Sequence, residues 1–255
     1  ADKKFSNDIK MSGVNSINWA RIIAQSVYYF YSYLSVEDAS EPTNFSVPTG
    51  NFGDVYAGYL AKKMGLPIDK LIVATNQNDI LHRAISKGSY EAEKVSETIS
   101  PSMDIQIASN FERLIFDLNN GDDQQTSLDM KNIKEKGQYL INDDKLNKIS
   151  ENFLSARMSE DETLEVIKNV YEKFAVVLDP HTAIGYGAFD KHNLKGNNIV
   201  LATAHPCKFP GAIQSAINVK AELPNELTFV LDQKENYDIV ENDIEKVKQH
   251  IKDRT

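Results

Sequence analysis

Asn44-Phe45-Ser46-Val47-Pro48-Thr49-Gly50-Asn51-Phe52-Gly53-Asp54 is a short apolar run that breaks into a glycine-bracketed loop and then enters a helix-like segment, Val55 to Met64. A strand ending at Gly50 and a helix starting near Gly53 leave several backbone N–H groups without partners. These groups converge on one point, where the helix dipole also favours negative charge. An anionic phosphate suits that point. Gly50 and Gly53 are expected to supply positive φ and close backbone approach, and Asn51 to tolerate left-handed geometry and donate through its amide. Asp54 suits a helix start, yet its charge opposes a phosphate if it points into the loop. Taken alone, the same glycines also read as plain turn chemistry.

Upstream, Ile17, Ala20, Ala24, Val27, Tyr28, Tyr31 and Leu34 fall at the three-and-four spacing of one helical face, with Asn15 or Ser16 as the cap. Within it, Tyr28-Tyr29-Phe30-Tyr31 reads as a core or interface face. Downstream, Lys70 to Thr75 is apolar without alternation, as in a strand covered on both faces, and Ile80 to Lys87 follows as a helix. Strand and helix alternating in units of this size predict an open, mostly parallel α/β sheet with helices on both faces. Ligands in such sheets bind beyond the carboxyl ends of the strands, where Gly50 to Asp54 falls.

The pattern weakens between Gly88 and Ser150, so the organisation expected is one domain over 1–255 with a mobile appended subregion at about 88–150. Helical spacing returns from Asp161 to Phe174 and from Val240 to Ile251, and Ala175 to Leu178 and Asn198 to Ala202 are strand candidates. Each of these strands ends in a proline-marked turn, Asp179-Pro180-His181-Thr182 and Thr203-Ala204-His205-Pro206.

Composition narrows the function. A net charge of -9 argues against nucleic acid as a partner. No apolar run reaches the roughly 18–20 residues of a membrane span, and the first residues are not followed by a signal-peptide core, so no membrane partner is expected. The single cysteine, Cys207, fits a cytoplasmic protein and excludes a Cys-based zinc site; the five histidines show no metal-ligand spacing, so no metal is expected.

Several polar residues carry two readings. His181 and His205 are either turn histidines hydrogen-bonded beside a proline or acid–base groups. Thr203 finishes a strand, or offers a hydroxyl to a heteroaromatic nitrogen. Arg21 is either a stem packed with its head in water, or a bidentate phosphate ligand.

Val47 to Asp54 with Ala57-Gly58-Tyr59-Leu60-Ala61-Lys62-Lys63-Met64-Gly65-Leu66-Pro67 closely resembles the phosphate loop and helix of threonine synthases. Asn15 to Arg21, Ala74 to Asp79, Ser100 to Ile105, Ser109 to Arg113, Asp179 to Ala183 and Thr203 to Phe209 resemble further segments of that family, in family order. The resemblance implies a pyridoxal 5′-phosphate enzyme of the tryptophan-synthase-β-like fold, converting O-phosphohomoserine and water to L-threonine and phosphate. It also implies that Gly50, Asn51, Phe52, Gly53 and Asp54 hold the cofactor phosphate and that Thr203 sits near the pyridine nitrogen. Arg21 is the candidate for the substrate. The family's Schiff-base lysine belongs to an upstream motif with no match here, and Lys62, Lys63 and Lys208 read as solvated surface charges. The expectation is therefore the C-terminal part of such an enzyme, inactive without a partner N-terminal part. A related pyridoxal-phosphate lyase (a threonine dehydratase or a cysteine synthase) and a non-catalytic phosphate-binding module are the alternatives.

Overall fold

The computed structural model describes residues 2–13 and 15–255. In chain order the helices and strands are α1 (Lys3–Asp8), α2 (Trp19–Leu34), β1 (Thr43–Pro48), α3 (Gly53–Lys63), β2 (Ile68–Thr75), α4 (Ile80–Lys87) and β3 (Ser89–Glu91). Then come α5 (Phe111–Leu118), α6 (Asp123–Lys136), β4 (Gln138–Leu140), α7 (Asp143–Asn152), β5 (Phe153–Arg157) and α8 (Glu160–Phe174). The chain closes with α9 (Pro180–Asp190), β6 (Asn197–Val200), α10 (Pro210–Ile217) and α11 (Ile244–Lys252). No helix among the described residues is long and apolar enough to cross a membrane.

Residues 16–221 form one compact unit around a four-stranded, all-parallel sheet in the order β5-β2-β1-β6. The register is fixed by pairs such as Phe45 with Leu71 and Val47 with Val73. Every residue of β1 is buried, the polar Thr43, Asn44 and Ser46 included, as in a strand covered on both faces. Phe45, Val47, Leu71 and Val73 face α2 and α3, whereas Ile72 and Ala74 face α9, so the pleat divides the core in two. Ser46, on the α9 side, donates from Oγ to the Gly185 carbonyl at 2.6 Å.

The described residues among 2–15 and residues 222–255 form a second, smaller unit, with Lys248 of α11 bridging Asp2 and Glu245.

Three elements depart from the expectations. Helix α2 starts at Trp19 and is capped by Asn18, not Asn15 or Ser16, because Asn18 Oδ1 accepts from the Ala20 N–H. Its buried face is Ile22, Ser26 and Tyr29, while Val27, Tyr28, Tyr31 and Leu34 are exposed. Two apolar stripes run along this helix, and α3 takes the one whose Tyr29 ring fits against Gly58, where a Cβ would lie 2.4 Å from the ring. Ala175 to Leu178 is not a strand: Ala175 is the left-handed cap of α8 and Pro180 opens α9. The sheet's additional strand is instead β5, reached through α7.

Candidate functional site

The carboxyl end of β1 runs into a cavity of about 290 Å³, lined by Thr49 to Asp54, Ser16, Arg21, Ser102, Met103, His181, Thr203, Ala204, Lys208 and Phe209 among others. The size is near the lower bound for small-ligand sites. Larger hollows lie elsewhere, one of 560 Å³ beside Trp19 and Arg113. There Arg113 stacks on Trp19 and donates to Ile17 and Asn110, and Asp117 takes Tyr56 and Lys63. The smaller cavity differs in its run of main-chain donors without acceptors.

Its floor is the loop. No acceptor among the described residues takes the N–H groups of Gly50, Asn51, Phe52, Gly53 or Asp54, and no side chain caps the start of α3. Five donors in succession at a helix N-terminus form a concave anion site. The residue that bends the chain is Phe52, at φ 63°, rather than Gly50, Gly53 or Asn51. A bulky residue in the left-handed region costs free energy, and the buried Phe52 ring holds it there, edge-on to Phe111 at 5.2 Å and tilted against Phe153 at 5.8 Å. Gly50 is required for a different reason, since a Cβ there would stand 2.5 Å from the Ser102 carbonyl oxygen.

Asn110 locks the loop in place. It is fully buried; its N–H and its amide both donate to the Asn51 carbonyl at 3.1 Å, and its amide also reaches the Ser16 carbonyl at 2.9 Å. The segment carrying Arg21 is thereby drawn to the loop. Asn76 and Asn78 do similar work at the end of β2: both donate to Asp104 Oδ1, at 2.8 and 2.9 Å, anchoring the segment whose Ser102 abuts Gly50. Asn78 and Asn110 stand just ahead of α4 and α5, where asparagine suits a helix cap. Their burial is the signal that separates the roles, and no local pattern carries it.

Asp54 faces away from the simple role of a helix-start carboxylate. Burial pushes its carboxyl up to about 6, against the lowering effect of the Tyr29 hydroxyl, which donates to Asp54 Oδ1 at 3.3 Å and to its carbonyl at 2.8 Å. The remaining wall is basic. Neither the Arg21 guanidinium nor the Lys208 ammonium has an acidic partner among the described residues, so two uncompensated cations line a cavity in a chain of net charge -9. Lys208, read from sequence as a surface charge, is exposed yet belongs to this lining. Thr203 stands on the same lining, three residues past β6. The structure thus brings Arg21, the 50–54 loop and Thr203 to one cavity.

His181 is among the residues that sequence reasoning left with two readings. Asp179 caps α9 and accepts from the His181 and Thr182 N–H groups and from His181 Nδ1 at 3.0 Å. Burial works to raise the Asp179 carboxyl, but the hydrogen bonds from His181 and Thr182 outweigh it and hold it below the usual carboxylate range. The His181 ring packs against Phe209, centroids 4.9 Å apart.

Residues 182–251 match a family model described as threonine synthase, C-terminal. Over 254 residues the chain is 42% identical to the threonine synthase of Pseudomonas aeruginosa, covering 98% of this chain and 54% of the relative. It is also 42% identical to that of Saccharomyces cerevisiae, covering 99% and 55%. The crystal structure of pyridoxal-phosphate-bound threonine synthase from Brucella melitensis superposes with a TM-score of 0.95 at 44% identity, over 99% of this chain and 55% of that one. The chain spans about half the length of the relatives it matches.

Proposed function

Because this chain belongs to the threonine synthase family, we propose that its cavity is one wall of a pyridoxal 5′-phosphate site at which O-phosphohomoserine and water become L-threonine and phosphate. The observation that carries this reading is the run of five unaccepted N–H groups from Gly50 to Asp54 at the cavity floor. A phosphate ester suits a run of free main-chain donors with a helix dipole behind them. When bound, the cofactor supplies the electron sink on which elimination and water addition depend.

The chain's own residues have separable tasks. Gly50, Asn51, Phe52, Gly53 and Asp54 hold the cofactor phosphate through their main chain, and the Thr203 hydroxyl meets the pyridine nitrogen. Arg21 binds the substrate phosphate as a fork, with the Lys208 charge nearby to favour anionic ligands. The exposed face of α2 and the unpaired edge of β6 are assigned to the rest of the family's length, which also brings the cofactor's lysine. On this reading the 255 residues alone do not turn over.

The natural full-length protein, given pyridoxal phosphate and O-phosphohomoserine, should release phosphate and form threonine in equal amounts. Absence of phosphate release would sink the proposal. A keto acid or a sulfide-dependent product in its place would assign the site to a related lyase.

A further inference from the structure

Among the buried side-chain nitrogens and oxygens of the described residues, one has no hydrogen-bond partner: Nε2 of His181. The ring is almost fully buried and lines the same cavity as the 50–54 loop and Thr203. An unpaired polar atom in such a place costs free energy comparable to a lost hydrogen bond. The ring is not free to turn and relieve this. Its Nδ1 is held 3.0 Å from Asp179 Oδ1, Asp179 is itself buried and fixed by three further donors from α9, and Phe209 packs on the ring. A histidine that served only to cap the helix would satisfy its second nitrogen with protein or leave it in water.

We propose that His181 Nε2 is a direct hydrogen-bonding contact for the phosphorylated pyridine that fills this cavity, with Asp179 as the positioning residue that fixes the ring's orientation. The proposal rests on the pyridoxal-phosphate reading of the site. Since Nδ1–H is donated to the Asp179 carboxylate, the neutral ring presents a lone pair at Nε2, and the charged ring presents a donor there. Either form completes a contact that the protein alone leaves unmade. His181 then stands beside Thr203 as a second side chain recognising the ring, while the loop recognises the phosphate.

The test uses the natural full-length protein, stripped of cofactor and titrated with pyridoxal 5′-phosphate. His181→Asn retains an amide where Nδ1 donates to Asp179 but has nothing at Nε2; His181→Gln extends an amide to the Nε2 position. The inference expects His181→Asn to raise the dissociation constant about tenfold with the cofactor-free melting temperature unchanged. It expects His181→Gln to return affinity to within about threefold of the parent. Parent-like affinity in His181→Asn would overturn it. So would equal losses in both variants that track a lowered cofactor-free melting temperature, because that is the signature of a structural histidine. If the parent protein fails to bind pyridoxal phosphate, it is the functional reading that falls.

Discussion

Gly50 shows how a single residue fixes the loop. Its missing Cβ allows the Ser102 carbonyl to approach, so Gly50→Ala must push apart two segments that are each tied elsewhere, Ser102 through the Asn76–Asp104 network and Gly50 through β1. A cost of about 1–3 kcal/mol is expected in chemical denaturation, together with loss of phosphate affinity. A glycine spacing of this kind was legible in the sequence as a loop, but its reason was not: the left-handed residue is Phe52, held by Phe111 and Phe153 from distant parts of the chain. Asp54 has a pH signature. A carboxyl raised to about 6 in the folded state contributes its stability fully below the unfolded value of roughly 3.9 and loses it as pH rises through 6. Asp54→Asn removes that loss, so its melting temperature relative to the parent should be higher at pH 7.5 than at pH 5. A gap that is constant, or reversed, across this range would show that the Asp54 carboxyl titrates normally.

Among the elements, α2 carries the clearest lesson. Its periodicity announces a helix correctly but cannot choose between two apolar stripes, because Tyr29 and Tyr28 are equivalent to any scale of hydrophobicity. The choice is made by α3, whose Gly58 accepts the Tyr29 ring. Tyr29→Ala should therefore cost about 3–5 kcal/mol, whereas Leu34→Lys, at a side chain 78% exposed, should shift stability by no more than about 0.5 kcal/mol. Similar losses at both positions would contradict the assignment of faces. Helix α9 escaped sequence reading for a related reason. It is buried nearly all round, so it has no polar stripe to give a period, and Asp179-Pro180-His181-Thr182 reads as a turn until its cap geometry is seen. Strand β1 was legible from Phe45, Val47 and the glycine loop that follows, although its buried Thr43, Asn44 and Ser46 break the apolar run.

For the molecule as a whole, the parallel sheet places the ends of β1, β2 and β6 on one side, and the polar segments that follow β1 and β6 meet around a single cavity. That convergence, with His181 of the Asp179 to Thr182 turn included, was legible from alternating strands and helices; the ties made by Asn110 and Asn76 were not, since each acts across long stretches of sequence. Lys208 is the one lysine on the cavity lining. In the functional reading it attracts anions and forms no bond to the cofactor, so the 255-residue chain incubated with pyridoxal phosphate and borohydride should carry no adduct at Lys208 by peptide mass mapping. An adduct there would make this chain's own lysine the covalent partner. The claim on which all of this depends is that Gly50 to Asp54 grips a phosphate. Hydrogen exchange of the natural full-length protein, measured by mass spectrometry with and without saturating pyridoxal 5′-phosphate, reads those five amides directly. The account expects the peptide spanning Gly50 to Asp54 to exchange markedly more slowly with the cofactor bound; unchanged exchange there, with protection appearing beside Trp19 and Arg113 instead, would contradict it.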